Sequence, residues 1–199
     1  MDFQYLFELL CSGVVKGSIY ALIALGYTMV YGIIQLINFA HGEIYMIGAF
    51  VAFIVAGVAT LSGFSGFSVL ILAAVIAAIY SASYGVTLER IAYRPLRKAP
   101  RLSPLISAIG ASIFLMNYVQ IAQTPDFLPF PELVSDFDFM EPLSRYLSSV
   151  DLVILAVTTL TMIALTVLIK YTRIGKAMRA TQQDMVMARL VGVNVDRVI

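Results

Sequence analysis

Long stretches without charged side chains constrain this chain more than any other feature of its sequence. No Asp, Glu, Lys or Arg occurs over residues 102–125 or 152–169, and residues 17–88 contain only Glu43. Soluble domains carry roughly 25% charged residues, whereas this chain carries 13%. Uninterrupted apolar runs bounded by charges are typical of membrane spans, because a charge in the bilayer core is costly.

Five apolar segments are long enough to cross a bilayer. An eighteen-residue helix reaches about 27 Å, close to the ~30 Å thickness of the hydrocarbon layer. The segments lack the polar stripe that a helix on the surface of a soluble core shows. The sequence therefore predicts an all-α integral membrane protein with about five transmembrane helices, over residues 17–37, 44–61, 67–88, 105–122 and 152–169. Residues 3–15, before the first span, are compatible with an interfacial turn.

The basic residues predict which side of the membrane each connection faces. Lys and Arg crowd residues 89–101 and 170–199, whereas residues 123–151 are acidic and rich in Pro and Phe. Because basic loops stay in the cytoplasm, both basic stretches and the C-terminus are predicted to be cytoplasmic. The acidic loop and the N-terminus are then outside, with Lys16 near the outer interface. Two interpretations of the acidic loop are open. Either its aromatic side chains insert into the lipid headgroup region, or the loop forms a docking surface for an external partner.

Signatures of catalysis are scarce. The chain has no phosphate-binding glycine loop, no helical zinc motif and no glycine-flanked nucleophilic serine. Its single histidine and single cysteine cannot build a metal cluster. The net charge of +1 implies no nucleic-acid partner. We therefore expect no enzyme activity, no cofactor and no metal, and transport is favoured over catalysis.

The densest polar cluster lies between the first two predicted spans, over residues 38–43. Asn and Gly suit a break in helical backbone, and Glu43 near the start of the next helix favours its dipole. One interpretation is a cytoplasmic turn with a capped helix. The other is a break at membrane depth that lines a pathway between discontinuous helices, which is tolerated only in a protein interior or at a cavity. The candidate residues are Asn38, His41, Gly42 and Glu43.

Small residues and the C-terminal stretch predict further helix contacts. Residues 172–199 are too polar to span, and they mix apolar with basic side chains, which suits a short amphipathic helix at the cytoplasmic surface that stops at Gly192. Small residues four apart allow helices to approach closely in lipid, either within a packed bundle or at contacts between subunits. They form three stripes: Gly13, Gly17 and Ala21; Gly48, Ala52 and Ala56; Ala74, Ala78 and Ala82.

Several longer stretches resemble one protein family. GSIYALIALGYTMVYG over residues 17–32 runs into INFAHGE over residues 37–43. ERIAYRP over 89–95, LISAIG over 105–110 and GVNVDRVI over 192–199 resemble the same family. Together they are similar to a permease subunit of the bacterial branched-chain amino acid ABC importer. The resemblance covers essentially the whole chain, and the acidic loop is its least similar part.

The resemblance implies a permease component in the bacterial inner membrane that imports leucine, isoleucine, valine or related amino acids. It implies a second permease subunit, ATP-binding subunits that hydrolyse ATP, and a periplasmic substrate-binding protein as partners. It also implies that residues 1–199 are a single transmembrane permease domain that is incomplete at the C-terminus, since family members continue with further helices. A cytoplasmic coupling helix would contact the ATPase, and its residues here are Arg179, Ala180, Asp184, Met187, Ala188 and Gly192.

Two other functions are compatible with the residues. A self-contained secondary transporter or channel for small solutes would use His41 and Glu43 as a proton or ion site, because ionisable groups within a membrane are often functional. A membrane scaffold that transports nothing is the third reading.

Overall fold

The described part of the chain is helical. The computed structural model describes residues 3–34, 37–96, 99–100, 102–126, 128–131, 133 and 147–198. Most of the acidic loop, over residues 134–146, and residues 97, 98 and 101 of the basic connection lie outside this description. The α-helices are α1 (Phe3–Ile34), α2 (His41–Leu61), α3 (Phe67–Leu88), α4 (Leu102–Ala122), α5 (Ser149–Tyr171), α6 (Arg173–Gln183), α7 (Met185–Leu190) and α8 (Val195–Val198).

Helices α1 to α5 are long and apolar enough to cross a membrane. This confirms the predicted all-α fold with five candidate spans. The interfacial turn over residues 3–15 is wrong, because these residues form the first half of the 32-residue helix α1. Gly13 and Gly17 weaken a helix but do not end it, and Pro is absent from this stretch. The predicted span over residues 17–37 therefore begins earlier; α1 is described as far as Ile34, and Ile37 is no longer helical.

Helix α3 continues beyond Leu88 in altered geometry. Glu89–Tyr93 form a π turn and Arg94–Leu96 form a 3-10 turn. Pro95 has no backbone N–H to donate to the carbonyl four residues earlier, so regular α geometry cannot be kept through it. Wider and tighter turns replace that geometry, and the helical path reaches Leu96.

The chain divides into two compact units. The first comprises Met1–Leu36 and Asp136–Ile199, and the second comprises Ile37–Ser135. In the first unit, α1 packs against α5 and α6, and α6 also contacts α5, α7 and α8. The prediction of a single domain over residues 1–199 stays a prediction.

In the second unit, α2 and α3 form an antiparallel hairpin, and α4 packs against α2. The turn between α2 and α3 contains Gly63 and Gly66, both with positive φ, a conformation that other residues rarely adopt. Two apolar clusters hold the unit together. The first contains Ala40, Ile47, Leu115 and Val119, and the second contains Ala56, Val69 and Leu133.

One of the three predicted small-residue stripes packs against a neighbouring helix. A Cβ atom at Gly48 would lie 2.5 Å from Ser81 Oγ of α3, so only glycine fits there without a shift of that side chain. Ala56, in the same stripe, is fully buried. The other two stripes are largely exposed on the surface of the chain, over residues 13–21 and 74–82.

Candidate functional site

Residues 38–43, here called the break segment, comprise the non-helical residues 38–40 and the beginning of α2. Asn38 is not helical, and its side-chain oxygen Oδ1 accepts a hydrogen bond from the Ala40 backbone N–H at 3.1 Å. The same oxygen accepts a hydrogen bond from the Tyr93 hydroxyl at 2.6 Å. The backbone carbonyl of Asn38 accepts from the N–H of His41, the first residue of α2, at 3.1 Å. Asn38 therefore shapes the turn and ties it to the end of the α3 path.

Glu43, in the first turn of α2, is bonded to a distant helix. Its Oε1 accepts a hydrogen bond from Ser112 Oγ at 3.0 Å. Ser112 is the central residue of α4, so it lies about 15 Å from either end of that helix. One residue further along, the Ile44 carbonyl oxygen accepts a hydrogen bond from Ser81 Oγ at 3.4 Å. Ser81 lies near the middle of the helical path from Phe67 to Leu96.

The start of α2 is therefore level with the middles of its two neighbours. From Ser81 the helical path continues for about 22 Å to Leu96, and from Ser112 helix α4 extends about 15 Å back to Leu102. Leu96 and Leu102 flank the basic connection. The first turn of α2 thus lies well short of the ends that α3 and α4 present at that connection.

The structure brings together only part of the predicted set. Asn38 and Glu43 are bonded to Tyr93 and Ser112, which sequence reasoning had not singled out as partners. The sequence indicates both partners only weakly. Tyr93 lies within residues 89–95, one of the stretches that resemble the permease family, and Ser112 is one of the few polar residues of an apolar helix. Asn38, His41 and Glu43 are half-buried, and Gly42 is exposed. A Cβ at Gly42 would have no neighbour within 4 Å in the described chain, so packing does not demand glycine there.

The second candidate region is formed by α6, α7 and α8, here called the C-terminal helices. They replace the single amphipathic helix that the sequence predicted. The cause is Asp184, whose Oδ1 accepts hydrogen bonds from the N–H groups of Val186 and Met187 at 2.7 and 3.0 Å. Its extended backbone ends α6 and starts α7, as aspartate at an N-cap commonly does. The predicted stop at Gly192 is confirmed, because α7 ends at Leu190 and Gly192 has a φ of 86°.

A sharp bend joins α5 to α6. Thr172 has extended backbone geometry and caps α6, with its Oγ1 accepting from the Gly175 N–H at 3.0 Å. A Cβ at Gly175 would lie 2.2 Å from the Ile169 carbonyl oxygen and 2.3 Å from that of Leu168. Only glycine permits this approach of α6 to the end of α5.

Arg179 secures the same bend. Its guanidinium Nη1 donates hydrogen bonds to the carbonyl oxygens of Ile169 and Lys170, the latter at 3.1 Å. These carbonyls belong to the C-terminal end of α5, where a cation is also favoured by the helix dipole. At the other end of α6, Gln182 packs against Gly32 of α1. Helix α6 is thus attached to α5 and contacts α1.

The other predicted coupling residues have different surroundings. The Ala180 carbonyl accepts the Asp184 N–H at 3.2 Å, which closes the last turn of α6. Ala188 is buried at 2% exposure, whereas Met187 is 60% exposed. Met187 belongs to an apolar surface of α7 and its end that includes Val186, Leu190 and Val191, all of them exposed. No group of three or more His, Cys, Asp or Glu that could hold a metal ion occurs among the residues described.

Comparison with known proteins gives a consistent result. Residues 9–199 match the family described as branched-chain amino acid transport system / permease component. The high-affinity branched-chain amino acid transport system permease protein LivH of Escherichia coli K12 is 47% identical over 202 aligned positions, which cover 100% of this chain and 66% of LivH. LivH of Salmonella typhimurium gives the same values.

A third relative is the corresponding permease protein BraD of Pseudomonas aeruginosa, which is 45% identical over 201 positions, or 99% of this chain and 65% of BraD. The chain thus spans about two thirds of the length of these relatives. No solved structure matches it significantly.

Proposed function

Because this chain belongs to the branched-chain amino acid transport permease family, we propose that it is a membrane permease component of an ATP-driven importer of branched-chain amino acids. The observation that carries the proposal is the family match over residues 9–199, which includes the break segment and the C-terminal helices. In this proposal the chain hydrolyses no ATP. Its partners are ATP-binding subunits, a second permease subunit and a periplasmic substrate-binding protein.

The break segment is proposed to lie at membrane depth and to line the substrate pathway. The hydrogen bonds from Ser112 to Glu43 and from Ser81 to Ile44 support this depth, because both donors lie in the middle of long apolar helices. Irregular backbone at membrane depth must form its hydrogen bonds within the protein. The Asn38 side-chain oxygen meets this need for Ala40, because it accepts a hydrogen bond from the Ala40 backbone N–H.

The break segment also offers the polar groups that an amino acid needs. The N-terminus of α2 presents backbone N–H groups, which attract a carboxylate, and Glu43 is an acceptor for an ammonium group. His41 and Gly42 lie in the first turn of the same helix, and glycine lets a ligand approach the backbone closely. The branched side chain would be accommodated by the apolar surfaces around this turn.

The C-terminal helices are proposed to transmit movement of the ATPase. Arg179 and the close contact at Gly175 attach α6 to α5, so a displacement of α6 is passed to a long apolar helix rather than absorbed by a loose linker. Asp184 and Gly192 fix the two ends of α7, Ala188 is buried, and Ala180 is half-buried in the last turn of α6. Met187 lies on the exposed apolar surface that would contact the ATPase. This arrangement requires a cytoplasmic C-terminus and hence, with five spans, an external N-terminus in the bacterial inner membrane.

Co-purification tests this assignment. The chain would be tagged, extracted gently from its native membrane, and its companions identified by mass spectrometry. We expect an ATP-binding subunit and a second hydrophobic subunit to accompany the wild-type chain, and the ATP-binding subunit to be lost from Met187→Glu. The control is Phe64→Glu, the same change at a residue that is 67% exposed and predicted to lie on the opposite side of the membrane. Loss in both variants, or recovery in both, would contradict the proposed docking surface.

A substitution at Glu43 separates the importer from a gradient-driven transporter. Glu43→Gln keeps an oxygen that can accept from Ser112 but removes the titratable charge. We expect uptake of radiolabelled leucine to persist at a reduced rate and to remain insensitive to collapse of the proton gradient while ATP is maintained. Complete loss of flux in the variant, together with inhibition of the wild type by an uncoupler, would indicate a proton site instead.

A further inference from the structure

Helix α4 ends well before α2 on the side away from the basic connection. The two helices run in the same direction, with Glu43 beside Ser112 and Ile47 packed in one cluster with Leu115 and Val119. This register brings the end of α4 level with Phe53. Helix α2 continues to Leu61, about 12 Å further. The part of α2 after Phe53 therefore extends beyond the C-terminal end of α4, and a space is left beside it.

The segment after α4 folds back into this space. The ring of Phe130 meets the ring of Phe53 edge-on, with centroids 6.5 Å apart and an interplanar angle of 63°. Leu133 is 6% exposed and packs with Ala56 and Val69. The segment thereby borders an open cavity of about 350 Å³, a size within the range of roughly 300–1,000 Å³ found for small-molecule sites.

The walls of the cavity are chemically divided. The α2 side is apolar and includes Phe50 and Phe53, and Leu128 faces it from the folded-back segment. The opposite wall combines Val119 of α4 with the polar, exposed side chains of Gln120 at the end of α4 and Asp126 in the segment that follows. A lining that is mostly apolar with a few convergent polar groups is typical of a site that orients a small ligand. A cavity that served only to hold a lipid chain would have no need of a carboxylate and an amide.

The Asp126 carboxylate is held in place by its neighbour. The Thr124 hydroxyl donates to Asp126 Oδ2 at 3.2 Å, and the Asp126 backbone N–H donates to Thr124 Oγ1, also at 3.2 Å. This reciprocal pair orients the side chain without using Oδ1. Asp126 can therefore present an acceptor to a ligand cation, while the Gln120 side-chain amide supplies N–H donors to a ligand anion.

We propose that this cavity binds a zwitterionic amino acid with an apolar side chain, before that amino acid reaches the break segment. The ammonium group pairs with Asp126, the carboxylate accepts from Gln120, and the side chain lies between Phe50, Phe53 and Leu128. The choice of substrate class rests on the proposed function; the site itself rests on the cavity and its divided walls. The cavity lies on the predicted external side, where a binding protein would release its cargo.

Ligand-observed saturation-transfer NMR tests the site directly, since it detects weak binding. The chain would be placed in phosphatidylcholine nanodiscs with L-leucine. We expect saturation of the leucine methyl groups, and a loss of affinity of about tenfold or more in Asp126→Asn, as for a hydrogen bond to a charged group. Gln120→Met, which keeps the shape but removes the donors, is expected to weaken binding similarly. The control is Ile121→Ala, because Ile121 is next to Gln120 but does not line the cavity.

A ligand analogue identifies which group Asp126 contacts. The anion 4-methylpentanoate keeps the side chain and carboxylate of leucine but lacks the ammonium. We expect it to bind the wild type more weakly than leucine, and to bind Asp126→Asn no more weakly than the wild type. Equal leucine signals in the wild type and in the Asp126 and Gln120 variants, or no signal at all, would overturn the proposed site. If the partners co-purify but leucine does not bind in this cavity, the cavity proposal is refuted and the importer proposal is not. If leucine binds here but no ATP-binding subunit co-purifies, the importer assembly is refuted and the cavity proposal is not.

Discussion

Replacing Gly175 with alanine is expected to force α6 away from the end of α5. The added Cβ would lie 2.2 Å from the carbonyl oxygen of Ile169 and 2.3 Å from that of Leu168. Both obstructing atoms belong to the backbone of a helix, so no rotation of a side chain can relieve the contact. The two helices must separate by about an ångström before an ordinary van der Waals distance is restored.

The free-energy cost follows from what this separation disturbs. Inserting a methyl group into a closely packed contact costs about 1–3 kcal/mol. The movement also strains the cap at Thr172, which contributes about 1 kcal/mol. It lengthens the hydrogen bonds of Arg179 to α5 as well. The better helix propensity of alanine offsets about 1 kcal/mol. We expect a net loss of about 1–3 kcal/mol in the free energy of opening the bend.

Limited trypsin digestion measures this opening locally. Lys176 and Arg179 are trypsin sites within α6, and Arg90 in the other unit provides an internal reference. When opening is fast relative to cleavage, the cleavage rate follows the open population, so Gly175→Ala should increase cleavage in α6 by roughly 5- to 150-fold. Mass spectrometry of the fragments distinguishes the sites.

The matched control is Gly57→Ala in α2. A Cβ at Gly57 would have no neighbour within 4 Å in the described chain. This variant should leave cleavage in α6 unchanged and stabilise α2 slightly. Equal α6 cleavage rates in the two alanine variants would refute the close contact between α5 and α6.

Two further substitutions test other parts of the chain. Tyr93→Phe removes the hydroxyl that donates to Asn38, so we expect a loss of about 1 kcal/mol in stability, measured by denaturation in mixed micelles. If the proposed importer assembles, the variant should also take up leucine more slowly. Unchanged stability and unchanged uptake would show that this bond does not hold the break segment. Asp184→Ala removes the cap of α7 and should cost about 1 kcal/mol of helix stability, measured as faster hydrogen exchange at the first amides of α7. Asp184→Asn should retain most of the protection from exchange, because asparagine also caps helices.

The sequence was sufficient for the spans because the bilayer leaves few alternatives. A backbone in hydrocarbon must bond to itself, so a charge-free run of sufficient length becomes a helix. The start of α1 could not be predicted for a related reason. A continuous apolar stretch contains no signal that distinguishes an interfacial turn from an earlier start of the helix. The split at Asp184 could have been predicted, because aspartate directly before an apolar run is a typical N-cap signal.

The partners of the break segment lay beyond such reasoning. Tyr93 and Ser112 reach Asn38 and Glu43 across separations of 55 and 69 residues, so only the packing of α2 against α3 and α4 brings them together. The irregular end of α3 had a local cause in Pro95, but its π geometry did not follow from the sequence. The family resemblance was confirmed, and it came from whole stretches of sequence rather than from the chemistry of any single residue.

The length of α1 has a consequence for the membrane around it. Thirty-two residues of helix measure about 48 Å, well above the ~30 Å of a typical hydrocarbon layer. Even a tilt of about 40°, the upper end of the usual range, leaves a vertical extent of about 37 Å. Helix α1 therefore either carries several ångströms of its apolar surface into the headgroup layer or thickens the lipid beside it. This mismatch makes α1 sensitive to acyl-chain length: thicker bilayers let it stand more upright, and thinner ones increase its tilt.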